Sequence, residues 1–215
     1  MYVKDKMTKE PISISGDAKI SEVVDLMSEH HLHRVPVVNQ GKLVGLVTGS
    51  LISQKGPTKA TSLSIFELNY LLSKTSVDTI MIRDVITINE NRFLEDAALL
   101  MLNQDIGCLP VLNDQNELVG IMTQNDVFAA FLDVLGYREH GSRICIEVKD
   151  KIGAIGEISE VFVRNKINIS HVGVYSLKNE MAEIIFRVET IQTDLLEKDL
   201  IESGYKVLNV SKNPN

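Results

Sequence analysis

The run LPVLNDQNELVGIMTQNDV, Leu109–Val127, reads as two short strands joined by a hairpin and closed by a turn that opens a helix. An echo of it, RVPVVNQGKLVGLVTGSLI, stands at Arg34–Ile52. Pro36, Val37, Asn39 and Leu43 fall opposite Pro110, Val111, Asn113 and Leu118, and Val44, Gly45 and Thr48 opposite Val119, Gly120 and Thr123. The offset is 74 residues at the prolines (110 − 36) and 75 at the threonines (123 − 48), so one inserted residue falls in the hairpin, where loops absorb length. Met7, Ile12, Ile14 and Met27 meet Met81, Ile86, Ile88 and Met101 at the same 74. A duplicated unit of about fifty residues follows.

Each copy predicts the order strand, helix, strand, strand, helix. Ile20, Val23, Val24 and Met27 form an apolar stripe at helical spacing, matched by Leu94, Ala97, Ala98 and Met101. Gly16 and Asp17 are expected to turn and cap the first helix, and Asn91 the second. Between the copies, SQKGPTKATS (Ser53–Ser62) reads as an exposed loop, and Ile65, Leu68, Leu71 and Leu72 as the stripe of a helix packing the halves together. The glycine-bearing, charged stretch GYREHGS, Gly136–Ser142, marks a domain boundary. Beyond it, Ile144, Ile146 and Val148 alternate as a strand, and Ile155, Ile158 and Phe162 mark a helix. Val172 and Val174 suggest a second strand, and Ala182, Ile184, Phe186 and Val188 a third. A helix with Leu196 and Leu200, ended by Gly204, and a strand from Val207 to Val210 complete βαββαβ, the order of a ferredoxin-like sandwich. The fold class is mixed α/β (α+β), divided into 1–53, a linker loop and helix over 54–75, 76–135, and 142–213.

At 215 residues and 44% hydrophobic content the chain can bury an ordinary core without staples. A net charge of −7 argues against broad phosphate-backbone binding, so nucleic acid is not an expected partner. Cys108 and Cys145 show neither zinc spacing nor a disulfide framework, and Cys108 reads as a buried inert thiol. The N-terminus MYVKDKMTKEP lacks the apolar core of a signal peptide and no stretch approaches a membrane span, which predicts a soluble cytoplasmic protein.

In GIMTQND, Thr123 and Asp126 stand where a strand stops and a helix starts. Free N–H groups, a hydroxyl and a carboxylate able to accept both hydroxyls of a ribose suit a ligand there. The competing reading is that Thr123 or Asn125 caps the helix and Asp126 favours its dipole. In the first copy Leu51 takes the place of Asp126, so two equal sites are not expected. The cluster HHLHR contains His30, His31, His33 and Arg34; it lacks third and fourth metal ligands and reads as a polar helix end. Its functional reading is a cationic lip, with His33 and Arg34 facing phosphates bound to the opposite copy. Arg83 and Arg92 are weaker candidates of that kind, with solvated surface as the alternative. HExxH, GxSxG and the phosphate loop are absent, and GAIG at Gly153–Gly156 lacks GxGxxG spacing, so no enzyme is expected.

The doubled pattern of Pro36, Gly45 and Thr48 with Pro110, Gly120, Thr123 and Asp126 resembles a tandem pair of CBS domains. The tail, with DKIGAIGEISEVF (Asp150–Phe162) followed by KINISHV, resembles an ACT domain, with Ile152 where that family usually has proline. The order CBS, CBS, ACT with the linker helix SIFELNYLLSK is similar to AcuB-type acetoin-utilisation proteins. The resemblance implies a non-catalytic regulatory sensor whose CBS pair binds an adenine nucleotide (AMP, ADP or ATP) with no required cofactor. Asp126 would hold the ribose, Thr123 ribose or phosphate, and the strand backbone near Thr87 and Leu109 the base. An amino acid or small carboxylate effector is implied for the ACT domain where Asp150, Gly153 and Asn168 are expected to meet; the alternative is that Gly153 only makes the turn, Asn168 only starts a strand and the domain serves to dimerise. A homodimer, an unspecified regulated protein and a role in acetoin or energy metabolism are implied as well. The alternatives are a structural dimerisation module without a ligand and, third, an acetoin-processing enzyme.

Overall fold

The computed structural model describes residues 1–55, 64–176 and 180–213, the side chains at 55, 65, 68 and 176 excepted. Most of the expected loop Ser53–Ser62, from residue 56 on, lies outside the described residues, as do the side chains of Ile65 and Leu68. Two compact units are formed, Met1–Val127 and Phe128–Asn215.

The first copy comprises α2 (Ile20–Glu29), the hairpin β2 (Arg34–Asn39) and β3 (Lys42–Thr48), and α3 (Gly49–Lys55). It is preceded by a short helix α1 (Val3–Lys6), which the sequence pattern did not announce, and by β1 (Thr8–Lys9). After α4 (Ile65–Lys74) and a 3₁₀ turn at Val77–Thr79, the second copy repeats the order as β4 (Ile88–Asn89), α5 (Leu94–Gln104), β5 (Cys108–Leu112), β6 (Leu118–Thr123) and α6 (Gln124–Val134).

The expected caps are not the ones used. The residue before α2 is Lys19, whose backbone N–H donates to Glu22 Oε1 at 3.0 Å, and the one before α5 is Phe93, whose N–H donates to Asp96 Oδ2 at 3.2 Å. A carboxylate three residues on thus satisfies the N–H of the residue before the helix, while neither Lys19 nor Phe93 gives a side-chain cap to the first-turn N–H groups. Ser64 does cap α4: its Oγ accepts from Glu67 N (3.3 Å) while Glu67 Oε2 accepts from Ser64 N (2.8 Å). Leu72 of α4 packs on the core of the first copy.

The two hairpins are cross-fed. β1, which precedes the first copy, pairs antiparallel with β6 of the second, giving the sheet order β1-β6-β5-β4. In the first copy Ile82, which precedes the second, bridges Leu46 of β3, and Ile14 bridges Val37 of β2. The reciprocal pattern repeats in the side chains: a Cβ at Gly45 would collide with the sulfur of Met81, and one at Gly120 with that of Met7. That contact explains why methionine and glycine both recur at the 74–75 offset. It also places Val77, Ile80 and Met81 in the first copy's core with Ile20, Val23 and Val37.

In the second unit β7 (Gly141–Lys149), α7 (Ala154–Arg164), β8 (Ile169–Ser176), β9 (Met181–Val188), α8 (Asp194–Glu202) and β10 (Lys206–Asn213) form one antiparallel sheet of order β10-β7-β9-β8. This is the βαββαβ order read from the sequence. Strand alternation sends Ile144, Ile146, Ile184 and Phe186 to one face, where they meet Ile158, Phe162, Leu196 and Leu200 of the helices, with Phe162 and Phe186 centred 4.9 Å apart. The apolar face of α7 turns on Val161 rather than Ile155, which is 44% exposed. Val172 and Val174 lie in the edge strand β8 and remain about half exposed.

Candidate ligand site

The duplicated hairpins bring two strand–helix junctions into one unit. In register, Arg34 stands opposite Thr48 and Cys108 opposite Thr123, so the repeat aligns Arg34 with Cys108. The turns before β2 and β5 share a left-handed residue, His31 (φ 53°) and Asp105 (φ 50°), again 74 apart (105 − 31). Backbone geometry is thus repeated while the side chains differ.

A cavity of about 590 Å³ opens between the copies, within the range that holds small-molecule ligands. The first copy contributes His33, Arg34, Leu46, Thr48, Gly49 and Ser50. The approach to β4 adds Ile82, Asp84, Val85 and Ile86, and the turn before β5 adds Asp105, Ile106, Gly107 and Cys108. Arg34 crosses from one copy to the other: its guanidinium occupies the space that a Cβ at Gly107 would need, beside the Gln124 side chain. Gln124 N donates to Gly107 O at 3.2 Å, which fixes that turn against the start of α6. Apolar walls, one guanidinium, two carboxylates and the hydroxyls of Thr48 and Ser50 can together take an apolar ring with a polar, partly anionic tail.

Burial raises the pKa of the Cys108 thiol, while the neighbouring Arg34 charge pulls it down. A thiol held neutral by burial packs and does not act as a nucleophile at neutral pH.

The predicted residues are not all gathered. His33 and Arg34 line the cavity. Thr87 and Leu109 sit one position beyond the lining residues Ile86 and Cys108, and Leu109 is fully buried in the core. Thr123 and Asp126 do not line this cavity; Thr48 does. The place of Thr48 in this cavity has a structural cause. Because the lead-in to each copy crosses to the other's hairpin, the segment before β4 meets the Thr48 junction of the first copy rather than the Thr123 junction of its own. The recurring Met7/Met81 and Gly45/Gly120 pairs carried that signal in the sequence, and Asp84, Asp105 and Ser50 are the lining residues that went unread.

Thr123 and Asp126 instead close a reciprocal cap on α6. Asp126 Oδ2 accepts from Thr123 N and from its hydroxyl, both at 2.7 Å, and Thr123 Oγ1 accepts from Asp126 N at 3.3 Å. In the first copy Thr48 Oγ1 accepts from Leu51 N at 3.1 Å, and Leu51 is buried. Arg83 and Arg92 are engaged locally, Arg83 with Asp78 O (2.7 Å) and Arg92 with Asp96 (3.0 Å). Among the described residues no three His, Cys, Asp or Glu side chains converge as metal ligands, and no helix is long and apolar enough to cross a membrane.

In the second unit Asp150 and Gly153 line one cavity, of about 180 Å³, and Asn168 lines another with Lys166 and Thr190. The expected meeting of all three does not occur, because α7 separates its own first turn from the strand that follows it, and eleven residues rise about 16 Å. Gly153 precedes α7 at φ 89°, a left-handed conformation with nothing within 4 Å of a Cβ, so glycine serves the backbone there.

A sequence model of the CBS domain matches residues 3–50 and 77–133. The CBS domain-containing protein YhcV of Bacillus subtilis (strain 168) is 34% identical over 125 residues, which are 58% of this chain and 81% of that one. This chain therefore belongs to the CBS-domain family, as a tandem pair. Among solved structures, the CBS domain pair of protein MJ0100 in complex with 5-methylthioadenosine and S-adenosyl-L-methionine is similar at TM-score 0.50 and 30% identity, covering 61% of this chain and 99% of that one. A putative acetoin utilization protein (AcuB) from Vibrio cholerae is similar at TM-score 0.54 and 26% identity, over 64% and 95%. Enzyme relatives are matched over a minor part of their length: the chain spans 23% of the L-aspartate semialdehyde sulfurtransferase of Methanocaldococcus jannaschii, to which it is 31% identical.

Proposed function

We propose that this protein is a non-catalytic sensor whose CBS pair binds an adenosine-containing ligand, AMP, ADP or ATP first among them, in the cavity between the copies. The observation that carries the reading is Arg34, which reaches across that cavity and lies over Gly107 where no side chain blocks a phosphate or other anionic tail. Apolar Val85 and Ile86 suit a purine, and Thr48 and Asp84 offer ribose partners. The complex of the MJ0100 pair with two adenosine derivatives supports the ligand class. Asp126, with Thr123, stays a second ribose candidate at the other junction, where only Oδ2 of the carboxylate is taken up by the cap.

Residues 1–53 and 76–135 serve in this reading as the two CBS copies joined by 54–75, and 142–213 as an ACT domain. The strand order β10-β7-β9-β8 and the glycine turn before α7 support the latter. Its effector, an amino acid or small carboxylate, would contact Asp150 and Gly153, with Asn168 set apart. A role in acetoin or energy metabolism rests on the likeness to the Vibrio protein. A purely structural reading is favoured by one observation, the closed cap of Thr123 and Asp126.

Calorimetric titration with AMP, ADP, ATP, S-adenosylmethionine and adenosine separates the two. The sensor reading expects micromolar to millimolar binding of at least one, and loss of about tenfold (~1.4 kcal/mol) for the phosphorylated ligands in Arg34→Gln with adenosine unaffected. Absence of heat with all five leaves the structural reading.

A further inference from the structure

On the sheet face turned away from α7 and α8, the second unit holds a cluster that the sensor reading does not use. Arg143 of β7 stands directly opposite Arg187 of β9, which stands opposite His171 of β8. Like charges directly opposite in a sheet repel. Neither guanidinium is ion-paired with a carboxylate among the described residues. The Tyr137 ring faces Arg187, with the guanidinium carbon 5.4 Å from its centroid, and Glu139 Oε2 lies 3.5 Å from His171 Nδ1. Glu183, the next carboxylate on this face, accepts from the Cys145 thiol, and Glu147 pairs with Lys206 at 2.7 Å. The pKa of Arg187 is lowered, by burial first and then by Arg143, with Tyr137 and Glu139 opposing.

Arg143, Arg187, His171 and Tyr137 line a cavity of about 120 Å³ whose floor is Ile185 and Gly173. That is room for about four waters at ~30 Å³ each, the size class of phosphate or a four-carbon dicarboxylate. Gly173 keeps the floor low: a Cβ there would meet only the Tyr175 ring, at 3.7 Å, and would otherwise enter the cavity. Tyr137 and Leu135 form the rim.

We propose that this pocket binds a small doubly charged oxyanion, a dicarboxylate or a phosphate, held by Arg143 and Arg187 with His171 beside them. Two unpaired guanidiniums on adjacent strands match two negative charges, and guanidinium forks take carboxylate and phosphate oxygens in pairs. The site is separate from the cavity at Asp150 and Gly153 and from the one at Arg34, and it stands whether or not an adenosine ligand binds.

The test is thermal unfolding of the full chain in sodium succinate, sodium phosphate, sodium acetate and sodium chloride at matched ionic strength, with amide chemical shifts to locate the contact. The unfolding midpoint is expected to rise by about 3 °C at a free concentration ten times Kd in succinate or phosphate. Acetate should need at least tenfold more, and the shifts should centre on Gly173 and Ile185. Succinate acting alone marks a dicarboxylate and phosphate acting alone a phosphoryl ligand, and both support the site. Arg187→Gln and Gly173→Val should each abolish the rise; the second keeps every charge and adds only a branched side chain that a strand accepts. No rise over chloride, an equal effect of acetate, a rise that survives both substitutions, or one abolished by Arg34→Gln would each overturn the proposal.

Discussion

At Arg34 the first copy carries a guanidinium where the second carries the thiol of Cys108, on the same backbone position of the repeat. That single difference makes the two junctions chemically unequal, and so does Leu51, buried where Asp126 caps. The cap can be weighed directly. Asp126→Ala removes the acceptor of two 2.7 Å hydrogen bonds at the start of α6 and is expected to lower the stability of the chain by about 1 kcal/mol, read by urea denaturation. Asp126→Asn should cost less. Cys145 offers a pH test. Burial, then the hydrogen bond and charge of Glu183, push its thiol up to about 11, above the ordinary value of 9.0. The folded state thus prefers the neutral thiol. This contribution to stability is full below the ordinary thiol pKa and is lost as pH rises from about 9 through about 11. Cys145→Ala should flatten the fall in urea midpoint over that window, and an unchanged slope would show that Cys145 does not titrate as its surroundings require.

Among the elements, the exchange of lead-in segments binds the two copies into one unit. Gly45→Ala sets a Cβ against the Met81 side chain, and Gly120→Ala against Met7. Each is expected to destabilise by about 1–3 kcal/mol as overpacking. Combining Gly45→Ala with Met81→Ala should recover part of that loss, a coupling that a double-mutant cycle on urea midpoints measures. Much of this level was legible in the sequence. The hairpins, the helices after each cap region and the βαββαβ order of the tail follow from periods of two and 3.6 and from the repeat itself. What escaped was non-local: α1, the pairing of β1 with β6, and the crossing of Ile82 to Leu46 carry no periodic signal, because two-residue pairings are too short to have one. The same crossing brings Thr48 into the lining of the cavity that holds Arg34. Asn168 lines a different cavity from Asp150 and Gly153 for a simpler reason, since a helix must carry the chain to the far end of a sheet before the next strand returns.

For the whole molecule, β8 ends the sheet with Val172, Val174 and Tyr175 about half exposed, an edge of the kind that pairing with a second copy would cover. The chain is expected to be a homodimer, so light scattering at micromolar concentration should give twice the 23.9 kDa of one chain. A mass of one chain would remove dimerisation from the account. A sensor also needs a ligand that reaches its cavity, and that claim is tested most directly by mapping amide chemical shifts of the full chain during titration with AMP. Shifts that grow saturably at Gly49, Ile106 and Gly107, with Gly153 unmoved, are the predicted result. No saturable shift up to millimolar AMP, or shifts confined to residues outside that cavity, would contradict it.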